Sequence, residues 1–188
     1  MEHAMNKPAG PTYDDIIALP ENLVGEILNG ELYTHPRPAP RHAQAYSMLG
    51  VRLGGSFGIG DSGPGGWWIL DEPELHLGRD IIVPDIAGWR RERMPELPDT
   101  AWFELAPDWA CEILSPSTAS LDRTVKMSIY AREKVSHLWL VDPDARTLEV
   151  YQLNDAGQWL LLGTLRENDP VQQPPFDAVS FPLGDLWA

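Results

Sequence analysis

The chain has 188 residues and carries 14 basic against 28 acidic side chains, a net charge of −14. This length fits one domain, and 43% hydrophobic residues with eight Trp exclude wholesale disorder. A single cysteine, Cys111, excludes an internal disulfide and a two-cysteine metal site. We recognise no signal peptide and no run of about 18 apolar residues, so we expect a cytoplasmic protein without a membrane partner.

The N-terminal part of the sequence predicts a short helix and a hairpin. Residues 1–19 are interpreted as a lead-in that ends in a short helix capped by Thr12, and residues 20–188 as a single domain. Asn29-Gly30 separates two apolar-rich runs. Because both positions of a tight two-residue turn require positive φ, this pair predicts a β-hairpin over residues 24–34.

The rest of the sequence predicts a mixed sheet with helices. Apolar residues at helical spacing predict a helix over 41–57, and the Gly-rich stretch 54–66 predicts a loop. Ser115-Pro116-Ser117-Thr118 ends a strand and opens a second predicted helix over roughly 121–133. Strands are predicted at 67–70, 74–77, 86–89, 109–114, 138–142, 147–152 and 159–165. This order of elements is typical of an α/β or α+β fold with a central mixed sheet flanked by helices.

Two acidic residues occur at predicted apolar strands. Asp85 follows Pro84 at a strand start, where a proline loses no ladder donor, although an ordinary turn aspartate is the alternative. Glu112 lies inside a short apolar strand, where a buried carboxylate is costly unless it is paired or binds a cation. Alternatively, Glu112 lies with Ala110 and Leu114 on a solvated strand face.

Asp122, Lys126 and Tyr130 follow one another at spacings of four on the predicted helix, so they share one stripe. A surface Asp–Lys pair is the ordinary explanation. Combined with two carboxylates on neighbouring strands, however, a lysine suits a metal site for phosphoryl chemistry, because Mg²⁺ prefers oxygen ligands and a cation can position the attacking water. Glu26, an acid among apolar residues of the hairpin, would complete the site from the opposite side.

These residues and their surroundings resemble the Uma-two family of restriction endonucleases, within the PD-(D/E)XK nuclease superfamily. The resemblance covers roughly residues 20–155. Its most specific part is the long run Pro107-Asp108 to Thr118, with Cys111-Glu112-Ile113-Leu114-Ser115-Pro116-Ser117-Thr118 at its centre. The other matching segments are 25–32, His42, 83–87, Asp122, Lys126, Tyr130-Ala131 and 139–143.

The resemblance implies a restriction-endonuclease-like core and a metal-dependent endonuclease that hydrolyses phosphodiester bonds of nucleic acid, with DNA the expected substrate. Asp85 and Glu112 would bind Mg or Mn, the backbone carbonyl of Ile113 would complete the coordination, and Lys126 would assist attack by water. The superfamily usually places its lysine two residues after the second acid, where this chain has Leu114. The lysine function therefore moves to the following helix.

The remaining implied roles are accessory. Glu26 would be a further catalytic acid, while His42, Asp122 and Tyr130 would lie around the metal ligands or face the substrate. Members of the superfamily generally dimerise, so the resemblance also implies a homodimer.

Two other functional classes stay open at this stage. The net charge of −14 opposes long-range attraction of nucleic acid and favours a nuclease-fold binding or regulatory domain without catalysis. Exposed Trp67, Trp68 or Trp102 would instead indicate a self-associating structural protein. A zinc hydrolase and a phosphate-binding loop are excluded, because the sequence has neither His-Glu-x-x-His nor Gly-Lys-Ser/Thr after the Gly-rich stretch.

Overall fold

The Asn29-Gly30 turn forms the first hairpin of the structure, a computed structural model that describes residues 10–36 and 38–187. Asn29 and Gly30 have φ values of 52° and 84°, as the two-residue turn requires, and Leu28 pairs with Glu31 across it. The predicted hairpin is therefore confirmed. Residues 1–9 of the predicted lead-in lie outside the described residues, and the predicted domain boundary stays a prediction.

The helices are α1 (Tyr13–Ile17), α2 (Pro40–Leu53), α3 (Ala119–Leu121) and α4 (Met127–Arg132), with π-helical turns at Gly54–Ile59 and Asp122–Lys126 and a 3-10 turn at Leu183–Leu186. The strands are β1 (Leu23–Leu28), β2 (Glu31–Pro36), β3 (Trp67–Asp71), β4 (Leu75–Leu77), β5 (Asp80–Ile82), β6 (Ile86–Arg90), β7 (Trp109–Ile113), β8 (His137–Asp142), β9 (Thr147–Leu153), β10 (Trp159–Arg166), β11 (Pro170–Val171) and β12 (Phe181–Pro182).

Within the described residues, six strands form a mixed sheet in the order β10-β9-β8-β7-β6-β3. The β7–β8 pair is parallel and the other neighbours are antiparallel. A parallel pair needs a crossover connection, and the helical residues 119–132, which we call the site helix, supply it. A second sheet, β2-β1-β5-β4, carries the hairpin. The predicted α+β class with a mixed sheet flanked by helices is confirmed.

Both faces of the six-stranded sheet are buried. Trp109 and Ile113 of β7 point to one face, where α2 and the C-terminal residues, including Phe176, cover them. Ala110 and Leu114 belong to the other face, which packs against Ile129 of the site helix. Because burying a large apolar side chain contributes about 1.5–3 kcal/mol, the packing of Ile129 on the second face holds the site helix against β7.

Three sequence predictions need correction. The stretch 54–66 was expected to be a loop, but Gly54–Ile59 continues α2 as a π-helical turn because Phe57 is buried in the core. No strand was predicted over 80–82, whereas Asp80 begins β5, whose Ile81 pairs with Ile27. The helix predicted over 121–133 begins earlier and contains the π-helical turn Asp122–Lys126.

The tryptophan surface proposed for a structural protein is not formed by Trp67, which is 4% exposed and packs against Phe176 in the core. Trp68 and Trp102 are half-buried.

Among the described residues, no helix combines the length and apolar character needed to cross a membrane.

Candidate functional site

Strand pairing brings the two predicted metal ligands together. Asp85 directly precedes β6, and the antiparallel register pairs its neighbour Ile86 with Cys111 of β7. The Asp85 carboxylate consequently reaches the next residues of β7, where the backbone N–H of Ile113 donates to its Oδ2 atom at 2.6 Å. Glu112 lies on the face of β7 that packs against the site helix, and it is 2% exposed.

The site helix places Lys126 at the centre of the acidic groups. Its Nζ atom lies 3.0 Å from Glu26 Oε1, 3.3 Å from Glu112 Oε2 and 3.7 Å from Asp122 Oδ1. It also donates to the carbonyl oxygen of Val83 at 3.2 Å. Lys126 is 4% exposed, so the surface Asp–Lys pair that explained this spacing is wrong: both partners are buried.

Two further predicted residues hold the carboxylates in place. The hydroxyl of Tyr130, one turn beyond Lys126, donates to Glu112 Oε1 at 2.5 Å. The Nε2 atom of His42, from the first turn of α2, lies 3.1 Å from Asp85 Oδ1. Each carboxylate of the pair is therefore contacted at both of its oxygens by this chain.

Charge at the site is unbalanced. Burial raises the pKa of Glu112 well above its ordinary value, and the negative charges of Asp122, Asp85 and Glu26 raise it further against the opposing effect of Lys126. Burial alone would lower the pKa of Lys126, but its four carboxylate neighbours hold that pKa well above the ordinary value. Lys126 is therefore a permanent cation facing an excess of negative charge.

Glu26 behaves differently from Glu112. Burial favours its neutral form, but Lys126, His35 and the backbone N–H of Val83 together lower the pKa of Glu26 below its ordinary value. The Val83 N–H donates to Glu26 Oε1 at 2.7 Å. Glu26 Oε2 is buried without a well-formed hydrogen bond, with His35 Nε2 3.5 Å away.

A cavity of about 280 Å³ opens onto these groups. Asp85, Glu112, Lys126, Asp122 and Glu26 all line it. The run 115–118, which ends β7 and leads into the site helix, forms part of its wall. The structure thus brings every predicted site residue to one hollow or to the carboxylates that line it.

Sequence reasoning missed two residues that line this cavity, His35 and Glu72. The hairpin register offers the signal for His35, since a two-residue turn pairs Val24 with His35 and so puts His35 on the strand face shared by Glu26. Nothing in the sequence marks Glu72. It lies beside the site because its backbone N–H donates to the carbonyl oxygen of Asp85 at 2.9 Å across β3–β6.

Oxygen-binding divalent cations fit this donor set. Within residues 10–36 and 38–187, no three His, Cys, Asp or Glu side chains are arranged as a complete metal-binding cluster. Mg²⁺, however, usually takes one or two carboxylates and keeps several waters. The carboxylates of Glu26, Asp85, Glu112 and Asp122 line the hollow together with one lysine, Lys126, so negative charge exceeds positive charge among these side chains.

Contacts and burial exclude the ordinary structural roles of Asp85 and Glu112. Asp85 is not an ordinary turn aspartate, because its carboxylate accepts the Ile113 N–H and contacts His42. The strand face of Glu112, Ala110 and Leu114 is buried, not solvated.

The sheet, its crossover helix and the acidic hollow define a protein of the nuclease-fold class. The structure is similar to a solved one described as a "putative nuclease belonging to DUF820 from Anabaena variabilis ATCC 29413", with a TM-score of 0.73 and 25% sequence identity. The match covers 94% of this chain and 97% of that one. Among curated proteins, none matches the chain in sequence.

The particular family follows from the sequence itself. The family model Uma2, described as "Putative restriction endonuclease", matches residues 12–184, and the chain belongs to this family. The resemblance identified from the motifs is confirmed.

Proposed function

We propose that the chain is a metal-dependent endonuclease that hydrolyses phosphodiester bonds of nucleic acid, with DNA as substrate, at the hollow lined by Asp85, Glu112 and Lys126. One observation carries the proposal. These three side chains come from separate segments of the chain and converge on one cavity of about 280 Å³. Membership of the restriction endonuclease family supports the reaction class.

Asp85, Glu112 and the carbonyl oxygen of Ile113 would hold Mg²⁺ or Mn²⁺. When bound, the ion would acidify a water and offset charge on the phosphate oxygens. Oxygen ligands of this kind are the ones both ions prefer. Three further acids, Glu26, Asp85 and Asp122, line the cavity with Glu112, and this concentration of negative charge favours binding of a cation there.

Lys126 would act as a fixed cation and not as a base. Its carboxylate neighbours keep it protonated, so its positive charge can attract the oxygen of the attacking water and stabilise charge that develops on the phosphate. Glu26 assists by holding the ammonium group, since its Oε1 atom lies 3.0 Å from Nζ. We therefore assign Glu26 to positioning Lys126.

His42, Tyr130 and Asp122 would act through these groups. His42 and Tyr130 orient the carboxylates of Asp85 and Glu112, and such partners of metal ligands typically change affinity or activity about 10- to 100-fold. Asp122 adds a third negative charge beside Lys126. The homodimer implied by the superfamily stays a prediction.

The net charge of −14 favours the second candidate, a nuclease-fold domain that binds or regulates without catalysis. A cleavage assay separates the two. Supercoiled plasmid and single-stranded DNA are incubated with the protein and Mg²⁺ or Mn²⁺, with and without EDTA. The proposal predicts cleavage that EDTA stops and that Glu112→Gln lacks, while the matched change of exposed Asp155 to Asn leaves it intact. Equal cleavage by wild type and Glu112→Gln would contradict the proposal.

A further inference from the structure

Two further cavities lie beside the site hollow on the protein surface. A second cavity, of about 370 Å³, shares Ala39, His42, Ser115 and Pro116 with the hollow. A third, of about 470 Å³, shares the next set of lining residues with the second: Pro40, Arg41, Pro143 and Asp144. The three cavities therefore lie next to one another, and we call the second and third together the exit groove.

The lining of the exit groove changes along its length. Near the site its walls are largely apolar, with Pro40, Leu114, Pro116 and Pro143. Further out it presents two arginines and an aromatic ring: Arg41, Arg146 and Trp187. The Nε1 atom of Trp187 donates to a backbone carbonyl at 3.0 Å, which fixes the indole at the end of the groove.

Both arginines are available to an incoming anion. Arg41 Nη1 lies 3.0 Å from Asp144 Oδ1, and these side chains are 79% and 56% exposed. Arg146 forms a similarly exposed pair with Glu167 at 3.3 Å. Exposed pairs of this kind are worth about 0–1 kcal/mol, whereas a phosphate can accept two parallel N–H bonds from one guanidinium. A phosphodiester can consequently replace the aspartate on Arg41.

We infer that the exit groove binds the nucleic-acid strand that leaves the site, with phosphates at Arg41 and Arg146 and a base on Trp187. Arg41 directly precedes His42, which contacts Asp85, so the groove lies directly beside the site. Apolar walls suit sugars and bases, and aromatic rings stack on bases of any sequence. Asp144 then acts as a competitor for Arg41 that weakens binding. The inference rests on the proposed function, since it names the path of that reaction's substrate.

The test measures binding without catalysis. Fluorescence anisotropy follows a labelled single-stranded oligothymidylate of 12 nucleotides at low salt in EDTA, for the full chain and its variants. Asp144→Asn is expected to tighten binding about threefold to tenfold, and Arg41→Gln to weaken it by a similar factor. Matched charge changes away from the groove, Asp155→Asn and Arg79→Gln, control for overall electrostatics.

A double-mutant cycle measures how strongly the effects of Arg41 and Asp144 on binding depend on each other. If Asp144 weakens binding by occupying Arg41, then Asp144→Asn has little effect once Arg41 is Gln. Equal tightening by Asp144→Asn and Asp155→Asn overturns the inference, as does tightening that persists in the Arg41→Gln background. Undetectable binding by both wild type and Asp144→Asn also overturns it. Oligoglutamate of equal charge should compete poorly, and equal competition would indicate an acidic peptide instead.

Different results would overturn the proposed nuclease activity and the proposed nucleic-acid groove. Loss of metal-dependent cleavage with the binding pattern intact would overturn the proposed nuclease activity and leave the groove as a nucleic-acid site. Cleavage that persists while Asp144 and Arg41 variants bind alike would overturn the groove alone.

Discussion

The site helix makes two similar triads with the six-stranded sheet, each with a cation from the helix, a glutamate from a strand and a tyrosine. The site triad is Lys126, Glu112 and Tyr130, and the surface triad is Arg123, Glu149 and Tyr151. In both, the tyrosine hydroxyl donates to the glutamate at 2.5 Å. The two arrangements thus share residue types and contacts but differ in their surroundings.

Charge and burial separate the two triads. Arg123 binds Glu149 through two N–H groups, at 2.8 and 2.7 Å, and this one-to-one pairing lowers the pKa of Glu149. In the site triad, burial and three further acids raise the pKa of Glu112 well above its ordinary value. The surface triad is a balanced structural contact, whereas the site triad has negative charge left over for a cation. This difference, and not the residue types, distinguishes the proposed site from an ordinary surface contact.

The strongest contrast should appear in catalysis. Glu112→Gln keeps the side-chain size but removes the charge that would bind the ion, so cleavage should fall by about 1,000-fold. Glu149→Gln makes the same change in the surface triad and should leave cleavage near the wild-type rate. Initial rates of plasmid nicking measure both. A comparable loss in the two variants would mean that the site triad has no special role.

The second-largest contrast should appear in the free energy of unfolding when each cation is replaced. Lys126→Met leaves Glu26, Glu112 and Asp122 buried without their cation, which should lower the free energy of unfolding by about 3–5 kcal/mol. Arg123→Met removes a half-exposed partner and should cost about 1 kcal/mol or less. Urea denaturation measures both values, and adding Glu26→Gln to Lys126→Met should recover part of the loss. Equal costs at the two positions would contradict the charge imbalance.

The tyrosines should give the smallest contrast. Tyr130→Phe removes one hydrogen bond that orients Glu112, so the affinity for Mn²⁺ should fall about tenfold. Tyr151→Phe should leave it unchanged, because Glu149 is not among the proposed ligands. Calorimetric titration of the two variants provides the measurement. A larger effect from Tyr151 would indicate an ion bound at the other triad.

Local patterns predicted much of this structure. Asn29-Gly30 specified the hairpin through its backbone conformation, and the spacing of Asp122, Lys126 and Tyr130 placed their side chains on one helix face. Because these features depend on near neighbours, they can be read directly from the sequence.

The remaining features depend on distant contacts. Strand β5 is three residues long, and its position is set by pairing with β1 and by the buried Asp80, which accepts the Asn29 N–H. The spacing of Lys126 from Asp122 is equally typical of a surface pair, and only packing of the site helix on β7 buries it. Glu72 reaches the hollow through strand pairing alone.

Titration with Mn²⁺ by calorimetry tests the central claim most directly. We expect the wild-type chain to bind the ion and the Asp85→Asn, Glu112→Gln double variant to show no measurable binding. The matched double variant Glu149→Gln, Asp155→Asn should bind like wild type. Mn²⁺ binding that survives unchanged in the Asp85, Glu112 variant would contradict the account.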